Sequence, residues 1–325
     1  MKVEQIYTGC LAQGAYYIES NGEAAVIDPL REVAPYIQKA TRNGATIKYV
    51  FETHFHADFL SGHLEMAKAT GAKIGYGSIA NPKFDVKLFA DGERYSLGDV
   101  TLEIRHTPGH TPESISIVVF EHASDAVPYG VLTGDTLFIG DVGRPDLLVS
   151  VGKTSNELGH LLFASLRDKL LTLPDSTRVY PAHGAGSACG KNLSTETMST
   201  IGEQRRTNYA LQFTNIDDFI DVVTEGQPPA PGYFIYDAQL NSQDRAVLDE
   251  HVLPTRLSVD EVVKLSSTGM VIIDTRDPHL FATGHIVGSI NVGFAGRYAE
   301  YAGAVVTPHD DIVIVTEGGQ ELEAK

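Results

Sequence analysis

Short apolar runs separated by turn residues dominate the first half of the chain. Residues 15–18 and 24–27 are apolar and flank Asn21-Gly22, a dipeptide that favours a β-hairpin turn. The apolar run at residues 47–51 predicts a short buried strand, and residues 62–70 are predicted to be helical. Further strands are predicted at residues 87–89, 100–106, 114–120, 130–133 and 178–179, and further helices at residues 32–43, 156–173, 194–211 and 217–225. This mixture of elements predicts an α/β fold.

The clearest break in the pattern is Gly-Gln-Pro-Pro-Ala-Pro-Gly at residues 226–232, which is typical of a linker. We therefore expect a first domain over residues 1–225, a linker region over residues 226–256 and a second segment over residues 257–325. In the second segment the pattern predicts helices at residues 259–266 and 278–283, with strands at residues 271–274, 290–292 and 312–315. That order is typical of a small α/β layout with a parallel sheet.

The most distinctive polar stretch follows the strand at residues 47–51. His54, His56 and Asp58 lie within five positions, on the predicted turn between a strand and a helix. Turns at strand ends are where rigid scaffolds present chemistry. Neutral imidazole and carboxylate groups are ligands for iron, zinc and manganese. A single histidine in such a place usually binds no metal, so the prediction of a metal site requires further candidate ligands elsewhere in the sequence.

Three more strand ends each carry one residue that could join this cluster. These are His110 in a Pro- and Gly-rich turn, Asp135 after the strand at residues 130–133, and His183 after the strand at residues 178–179. Proline and glycine around His110 favour an irregular backbone and allow another segment to come close. Four strand ends that supply ligands to a common edge predict a metal centre.

Charge and composition limit the classes of partner that the chain could bind. The chain of 325 residues has a net charge of −17, which argues against nucleic acid or an anionic membrane, because either would be repelled over most of the surface. No run approaches the roughly 18 apolar residues of a membrane helix, and the first residues lack the apolar core of a signal peptide. A cytoplasmic location is therefore expected. The cysteines, Cys10 and Cys189, do not predict a disulfide framework.

The order and spacing of the four clusters resemble the signature of the metallo-β-lactamase superfamily, over residues 1 to 215. The resemblance implies an αββα four-layer sandwich with metal at one edge of the paired sheets. Within the superfamily, several stretches are most similar to persulfide dioxygenases: residues 134–137, 143–146, 181–184, 187–191 and 203–208.

The second segment resembles a rhodanese domain. The resemblance rests on Ile273-Asp274-Thr275-Arg276, Phe281 and the run from Gly284 to Asn291. The expected fold is thus an α/β metallo-β-lactamase fold followed by a partial rhodanese-like α/β domain. Fusion of these two domains also recurs in bacterial persulfide-oxidising proteins, so the two resemblances support each other.

Two departures from these families matter. Phe59 stands where the superfamily usually has a histidine that serves a second metal position, and a phenyl ring has no lone pair to donate. A second ion could still bind weakly to Asp58, His183 and the shared Asp135, so we expect one metal ion per chain. In the rhodanese-like segment the nucleophilic cysteine should follow residues 312–315, where Thr-Glu-Gly-Gly stands instead. This segment is therefore predicted to be incomplete and unable to transfer sulfur by itself.

The resemblance to persulfide dioxygenases implies one Fe(II) bound by His54, His110 and Asp135. A set of two histidines and one carboxylate leaves one face of the octahedron open. That face would serve a low-molecular-weight thiol persulfide and O₂, with sulfite and the thiol as products. The remaining polar residues would orient the ligands or bind water as catalytic groups: His56, Asp58 and His183. The alternative is that His56 is a fourth ligand.

Substrate binding is assigned to two cations. Arg144, nine positions after Asp135, could hold a carboxylate of the thiol carrier, and Lys191 is a weaker candidate. The alternative for Arg144 is a surface salt bridge. The carrier itself stays open among glutathione, coenzyme A and bacillithiol. Cys189 could exchange sulfur with the substrate, although a lone cysteine is more often a small buried apolar group.

Two competing interpretations remain. The chain could be a dinuclear zinc thioester hydrolase of the glyoxalase II type, since histidine and aspartate suit zinc as well as iron. Phe59 and the fused segment count against this alternative. The rhodanese-like segment could also act as a docking module, for a second protomer in a homo-oligomer or for a sulfurtransferase partner.

Overall fold

Two six-stranded mixed sheets form the first part of the chain, in a computed structural model that describes residues 1–147 and 152–325. The first sheet has the order β1-β2-β3-β4-β5-β6, with strands Lys2–Thr8, Gln13–Ser20, Glu23–Ile27, Thr46–Phe51, Lys73–Gly77 and Lys87–Phe89. The second has the order β12-β11-β10-β9-β8-β7, where β7 to β12 are Arg94–Leu97, Val100–His106, Ile115–Phe120, Gly130–Gly134, Arg178–Pro181 and Ser199–Thr200.

Helices cover the outer faces of both sheets and continue into the second segment. In chain order, α1 to α10 are Ala34–Asn43, His63–Thr70, Ser155–Ala164, Ile201–Thr207, Ile216–Thr224, Phe234–Asn241, Val259–Ser266, Pro278–Thr283, Tyr298–Val305 and Glu321–Ala324. Helix α3 runs on as a π-helical stretch, and a short 3₁₀ helix follows α4. Within the described part of the chain, no helix is long and apolar enough to cross a membrane.

Side chains along each strand alternate between the two faces of the sheet, and this alternation produces the predicted four layers. In β3, Ile27 packs between the two sheets, whereas Val26 faces outward against Met66 of α2. In the second sheet, Val131 faces outward against Leu162 of α3. Each sheet therefore has one face on the central core and one face under helices, so the predicted αββα sandwich is confirmed.

Parallel pairing brings the polar strand ends to one edge. Strands β3 and β4 pair in parallel in the first sheet, and β10 and β11 pair in parallel in the second. Asp28 after β3 therefore lies beside His54 after β4, and Asp135 after β10 lies beside His183 after β11. Sites in α/β proteins form at the carboxyl ends of such strands.

The second segment forms a small parallel sheet of order β14-β13-β15, with strands Ile290–Asn291, Val271–Asp274 and Ile312–Val315. The predicted rhodanese-like α/β layout is confirmed in this sheet. Residues 226–256, predicted as a linker region, contain helix α6. Its Phe234 and Asn241 are almost completely buried, so this stretch is packed against the rest of the chain.

The predicted helix over residues 194–211 is wrong at its start. Ser199 and Thr200 pair with β11 as the short strand β12. Helix α4 begins only after Thr200, whose hydroxyl accepts a hydrogen bond from the backbone N–H of Glu203. Serine and threonine compete with the backbone for hydrogen bonds and so favour caps over helix interiors.

Candidate metal centre

Three side chains converge where the two sheets meet at one edge. The ligand atoms of His54, His110 and Asp135 all lie within 4.8 Å of one another. The Nε2 atoms of His54 and His110 lie 3.8 Å and 3.4 Å from Oδ2 of Asp135. Each of the three residues is only 1% exposed. The structure thus brings together the three residues predicted as ligands from their resemblance.

Hydrogen bonds fix which nitrogen of His54 faces the centre. The hydroxyl of Thr53 donates to Oδ2 of Asp28 at 2.9 Å and lies 3.0 Å from Nδ1 of His54. A hydroxyl has one hydrogen to donate, so here it accepts from the Nδ1–H group of His54. The Nε2 atom of His54 therefore carries a lone pair, and it points toward Asp135.

The same logic applies to His110. Its Nδ1 atom lies 2.9 Å from the backbone carbonyl oxygen of Arg144, which can only accept. Nδ1 is therefore the protonated nitrogen, and Nε2 is the ligating one. The residue preceding Arg144 must be glycine, because a Cβ atom at Gly143 would lie 1.8 Å from the backbone carbonyl oxygen of Asp135 and 3.1 Å from Cβ of His110.

The donor set fits a divalent transition metal. Burial lowers the pKa of both His54 and His110, so these imidazoles stay neutral and can ligate. Burial would raise the pKa of Asp135, but the neighbouring histidines, His183 first, hold it well below its usual range. Nε2 of His54 is fully buried and has no hydrogen-bond partner in the described part of the chain. A metal ion at this point would satisfy all three groups.

His183 lies between two carboxylates. Its Nδ1 atom is 2.8 Å from Oδ1 of Asp135, and its Nε2 atom is 2.8 Å from Oδ2 of Asp58. Burial would lower the pKa of His183, but the two carboxylates raise it well above its usual value. Nδ1 is hydrogen-bonded to Asp135, whereas Nε2 lies close to Asp58 without a hydrogen-bond partner among the described residues, so His183 stands between the two carboxylates.

His56 faces a different set of buried carboxylates. Its Nε2 atom lies 3.1 Å from Asp28 and 3.7 Å from Glu52. Burial, and then the charge of Asp28, raise the pKa of Glu52 well above its usual value. His56 remains next to the centre, since its ring lies 4.1 Å from that of His54. This placement agrees with an orienting role, while Nδ1 of His56 stays buried without a hydrogen-bond partner among the described residues.

Phe59 packs against the ring of His56. The two ring centroids are 4.4 Å apart, and Phe59 is buried. The position that usually supplies a histidine to a second metal ion thus contributes only packing here. Of the residues named in the sequence for a possible second ion, Asp58 and His183 gather beside Cys189 in a separate group.

Asn241 of α6 holds the backbone of the metal-bearing loop. Its amide nitrogen donates at 2.8 Å to the carbonyl oxygens of both His56 and Phe59, and its oxygen accepts from the N–H of Ser61 at 2.9 Å. Asn241 is completely buried. A second contact follows four residues later, where Arg245 binds the carbonyl of Ser61 and the carboxylate of Glu65. Helix α6 and the residues after it therefore clamp the loop at residues 56–65.

The two cations predicted to bind substrate are committed elsewhere, which corrects that expectation. The guanidinium of Arg144 is 2% exposed and pairs with both carboxylate oxygens of Asp146 at 2.7 Å. Its backbone carbonyl, not its charge, acts at the centre. The ammonium of Lys191 donates to the carbonyls of Val222 and Glu225 at the end of α5. It stabilises a helix terminus there.

Replacing Lys191 with methionine tests this correction. We expect the unfolding free energy to fall by roughly 1–2 kcal/mol, because hydrogen bonds from a charged donor to helix carbonyls are lost. The Michaelis constant for substrate should stay within about twofold of the wild-type value, since no contact with the substrate is removed. Denaturant unfolding and steady-state kinetics measure the two effects. A large rise in the Michaelis constant with unchanged stability would restore Lys191 as a substrate ligand.

Cys189 is buried beside Asp58. Burial, and then the carboxylate of Asp58, raise the pKa of its thiol well above the usual value. Apolar side chains such as Phe138 and Phe234 pack around it, and the ligand atoms of Asp58 and His183 lie within 4.8 Å of its sulfur. This environment favours the interpretation of Cys189 as a small core group over a reactive thiolate.

Sequence reasoning missed Asp28, Thr53 and Asn241. Asp28 directly follows strand β3, so the rule that strand ends converge could have included it. Thr53 precedes His54 and could have been examined as an orienting partner. Asn241 has no such signal, because it lies 180 positions from Ser61 in a stretch predicted as linker.

Paired mixed sheets with helices on both faces and a histidine–aspartate centre at one edge define a metal-dependent αββα protein. The family model described as "Metallo-beta-lactamase superfamily" matches residues 8–183, and that described as "Rhodanese-like domain" matches residues 258–325. The first match covers more than half of the chain. The chain belongs to the metallo-β-lactamase superfamily and carries a C-terminal rhodanese-like domain.

Several known proteins are similar to this chain. The human mitochondrial persulfide dioxygenase ETHE1 is 29% identical over 211 residues, which are 64% of this chain and 74% of that protein. Glyoxylase B2 of Dictyostelium discoideum is 31% identical over 233 residues, or 64% of this chain and 72% of that protein. A metallo-beta-lactamase from Staphylococcus aureus has 30% identity and a TM-score of 0.90, over 99% of this chain and 94% of that chain. ETHE1 from Myxococcus xanthus has 25% identity and a TM-score of 0.63, over 74% and 98%.

Proposed function

We propose that the chain is a mononuclear non-haem iron enzyme, a persulfide dioxygenase. The observation that carries the proposal is the set of His54, His110 and Asp135, with both imidazole tautomers fixed toward one point. Phe59 stands in place of the usual histidine of a second metal position, which leaves that position one ligand short. A single ion with three protein ligands leaves coordination positions for substrate and O₂. The similarity to two ETHE1 proteins supports the same activity.

The proposed reaction balances with one water molecule. A persulfide, O₂ and water give the thiol, hydrogen sulfite and a proton, and the sulfur–sulfur bond breaks. The outer sulfur loses four electrons, and O₂ gains them. Fe(II), when bound, supplies the redox chemistry for this transfer. Zinc lacks that chemistry, which is why iron is the proposed cofactor.

The chain's own residues orient the metal ligands and exclude water from the centre. Thr53 and the carbonyl of Arg144 hold the two imidazoles in their ligating tautomers. His183 keeps Asp135 in place from the opposite side and carries a proton between it and Asp58. The ligands are almost completely buried, which limits competing reactions of a reactive centre with solvent.

Metal analysis of protein purified without air tests this proposal. We expect about one iron per chain, and O₂ uptake with sulfite release when glutathione persulfide is added. The coordination argument sets the expected count, because three ligands suit one ion. One sulfite should be formed for each O₂ consumed.

A dinuclear zinc hydrolase gives the opposite result. It would hold two zinc ions per chain and cleave a thioester such as S-lactoylglutathione without consuming O₂. Assays of both reactions on protein reconstituted separately with iron and with zinc distinguish the two functions. Thioester cleavage by the zinc form, with no persulfide oxidation by the iron form, would overturn the proposal.

A further inference from the structure

A cleft of about 350 Å³ lies between the metal-bearing loop, helix α6 and the rhodanese-like segment. On the catalytic side it is lined by Asp58 and Phe59 of the loop and by Tyr233 and Asp237 of α6. On the other side it is lined by residues of helix α9 and the turn that follows, among them Gly303. Both parts of the chain therefore build one cleft.

This cleft borders the metal-bearing loop at Asp58, which lies beside His183 and through it is linked to the ligand Asp135. Among the polar residues of the centre, Asp58 is the most exposed, at 8%, whereas the three ligands are at 1%. Its Oδ1 atom is buried without a hydrogen-bond partner among the described residues, while its Oδ2 atom binds His183. His183 in turn contacts Asp135. A second cleft of similar size on the other face of α6 is lined by Phe55 and Thr111, which follow two of the ligands, but not by Asp58, His183 or Asp135.

The rhodanese-like segment shapes the wall of the cleft through one contact. A Cβ atom at Gly303 would lie 3.1 Å from both Cδ1 and Cε1 of the Tyr233 ring, so α9 presses its backbone against that ring. Tyr233 lines the cleft together with Asp58 and Phe59 of the metal-bearing loop, and burial and then the carboxylate of Asp58 raise its pKa. Tyr233 thus lies between the second segment and the centre.

The charges of the cleft select what can enter. Its described lining contains the carboxylates of Glu32, Asp58 and Asp237 against one cation, Arg31. The guanidinium of Arg31 is already bound to Glu65 and to a backbone carbonyl. Burial, and then repulsion by the carboxylate of Asp58, raise the pKa of Asp237 to about 7, so the two carboxylates already oppose each other in the cleft. A further carboxylate beside the sulfur would add to this repulsion, whereas an ammonium group would relieve it.

We infer that this cleft is the binding site of the thiol carrier, that the rhodanese-like segment is its outer wall, and that it favours persulfides with a neutral or ammonium-bearing group next to the sulfur. The inference rests on the proposed persulfide oxidation and names the substrate class for it. It also gives the cysteine-less segment a role that needs no sulfur transfer. Carboxylates of a larger carrier would stay outside the cleft.

Three small persulfides that share a two-carbon stem and carry a positive, neutral or negative terminal group test the inference on the full-length iron-loaded protein. They are the persulfides of cysteamine, 2-mercaptoethanol and 3-mercaptopropionate. We expect kcat/KM for the first two to exceed that for the third by on the order of tenfold. Asp237→Asn should reduce this difference. Anaerobic binding of the corresponding thiols to metal-free protein gives a second readout, with the same order of affinities.

Gly303→Leu tests the shared wall. The added side chain must push the Tyr233 ring into the cleft, so we expect the Michaelis constant to rise about tenfold with unchanged iron content. Leucine favours helix over glycine, so α9 should remain folded. Gly318→Leu is the matched control in the same segment, because no atom lies within 4 Å of its Cβ position.

The outcomes distinguish a failure of the proposed function from a failure of the cleft assignment. If wild-type protein oxidises none of the persulfides, the proposed function fails. If it oxidises all three equally and Gly303→Leu behaves like Gly318→Leu, the function stands and the cleft assignment is overturned. A charge preference without an effect of Gly303→Leu would remove the rhodanese-like segment from the site.

Discussion

Replacing Asp135 with asparagine is expected to remove nearly all bound iron and at least about 100-fold of persulfide turnover. The loss of a residue that only orients a ligand typically costs 10–100-fold in metal affinity, so the loss of the one charged ligand should cost more. Asparagine has almost the same shape, and its oxygen can still accept a hydrogen bond from Nδ1 of His183. The fold should therefore survive while the metal is lost. Iron content after anaerobic gel filtration and O₂ uptake measure the effect.

Stability measurements separate a lost ligand from a damaged fold. Without metal, the variant and the wild-type protein should unfold within about 0.5 kcal/mol of each other if the fold is intact. With metal at a hundred times its dissociation constant, wild-type protein should gain about 2.7 kcal/mol and the variant almost none. Asp85→Asn removes the same charge at an exposed position and serves as the control. Full iron content and activity in Asp135→Asn would mean that the ligand set is wrong.

The strand ends explain why the candidate metal-binding residues could be gathered from the sequence, whereas the choice of His54, His110 and Asp135 among them came from the resemblance to persulfide dioxygenases. Each cluster follows an apolar run that the pattern marks as a strand, and carboxyl ends of parallel strands meet at one edge. The pairing of β10 with β11 places Asp135 beside His183, as this rule requires. The four layers follow from alternation within strands such as β3. These inferences need only local sequence and general sheet geometry.

Other parts of the site depend on contacts that local sequence does not encode. Arg144 was expected to act through its charge, but Asp146 two residues later neutralises the guanidinium, and the carbonyl acts instead. Lys191 has a local pattern compatible with a substrate ligand, yet a helix end about thirty residues away binds its ammonium. In both cases the partner of the cation decides its role: a neighbour in sequence for Arg144, and a distant helix end for Lys191.

Phe59 favours a single-metal site. A second ion beside Asp58 and His183 would lack the lone pair that a histidine at position 59 would supply, because phenylalanine cannot donate one. Phe59 instead fills space against His56, a residue whose backbone carbonyl is held by Asn241. The loop therefore needs support from elsewhere in the chain.

Asn241→Leu is expected to weaken iron binding by about 10–100-fold and to lower the unfolding free energy by roughly 3 kcal/mol or more. The substitution leaves three buried backbone groups without partners, each at about 1–3 kcal/mol. These groups belong to His56, Phe59 and Ser61, so the loop that follows His54 loses its anchor. Partners that position ligands typically contribute this range of metal affinity. Chelator competition and denaturant unfolding measure the two losses separately.

A positioning role predicts more than lower stability. In cobalt-substituted protein, kept at a temperature where the variant is fully folded, Asn241→Leu should change the visible absorption of the metal centre. Gln239→Leu, on the exposed face of the same helix, should leave both the spectrum and the affinity unchanged. If Asn241→Leu lowers stability but retains wild-type affinity and spectrum, the clamp only supports the fold. A changed spectrum would instead make residues 226–256 part of the catalytic unit, because the geometry of the metal centre would then depend on a side chain from α6.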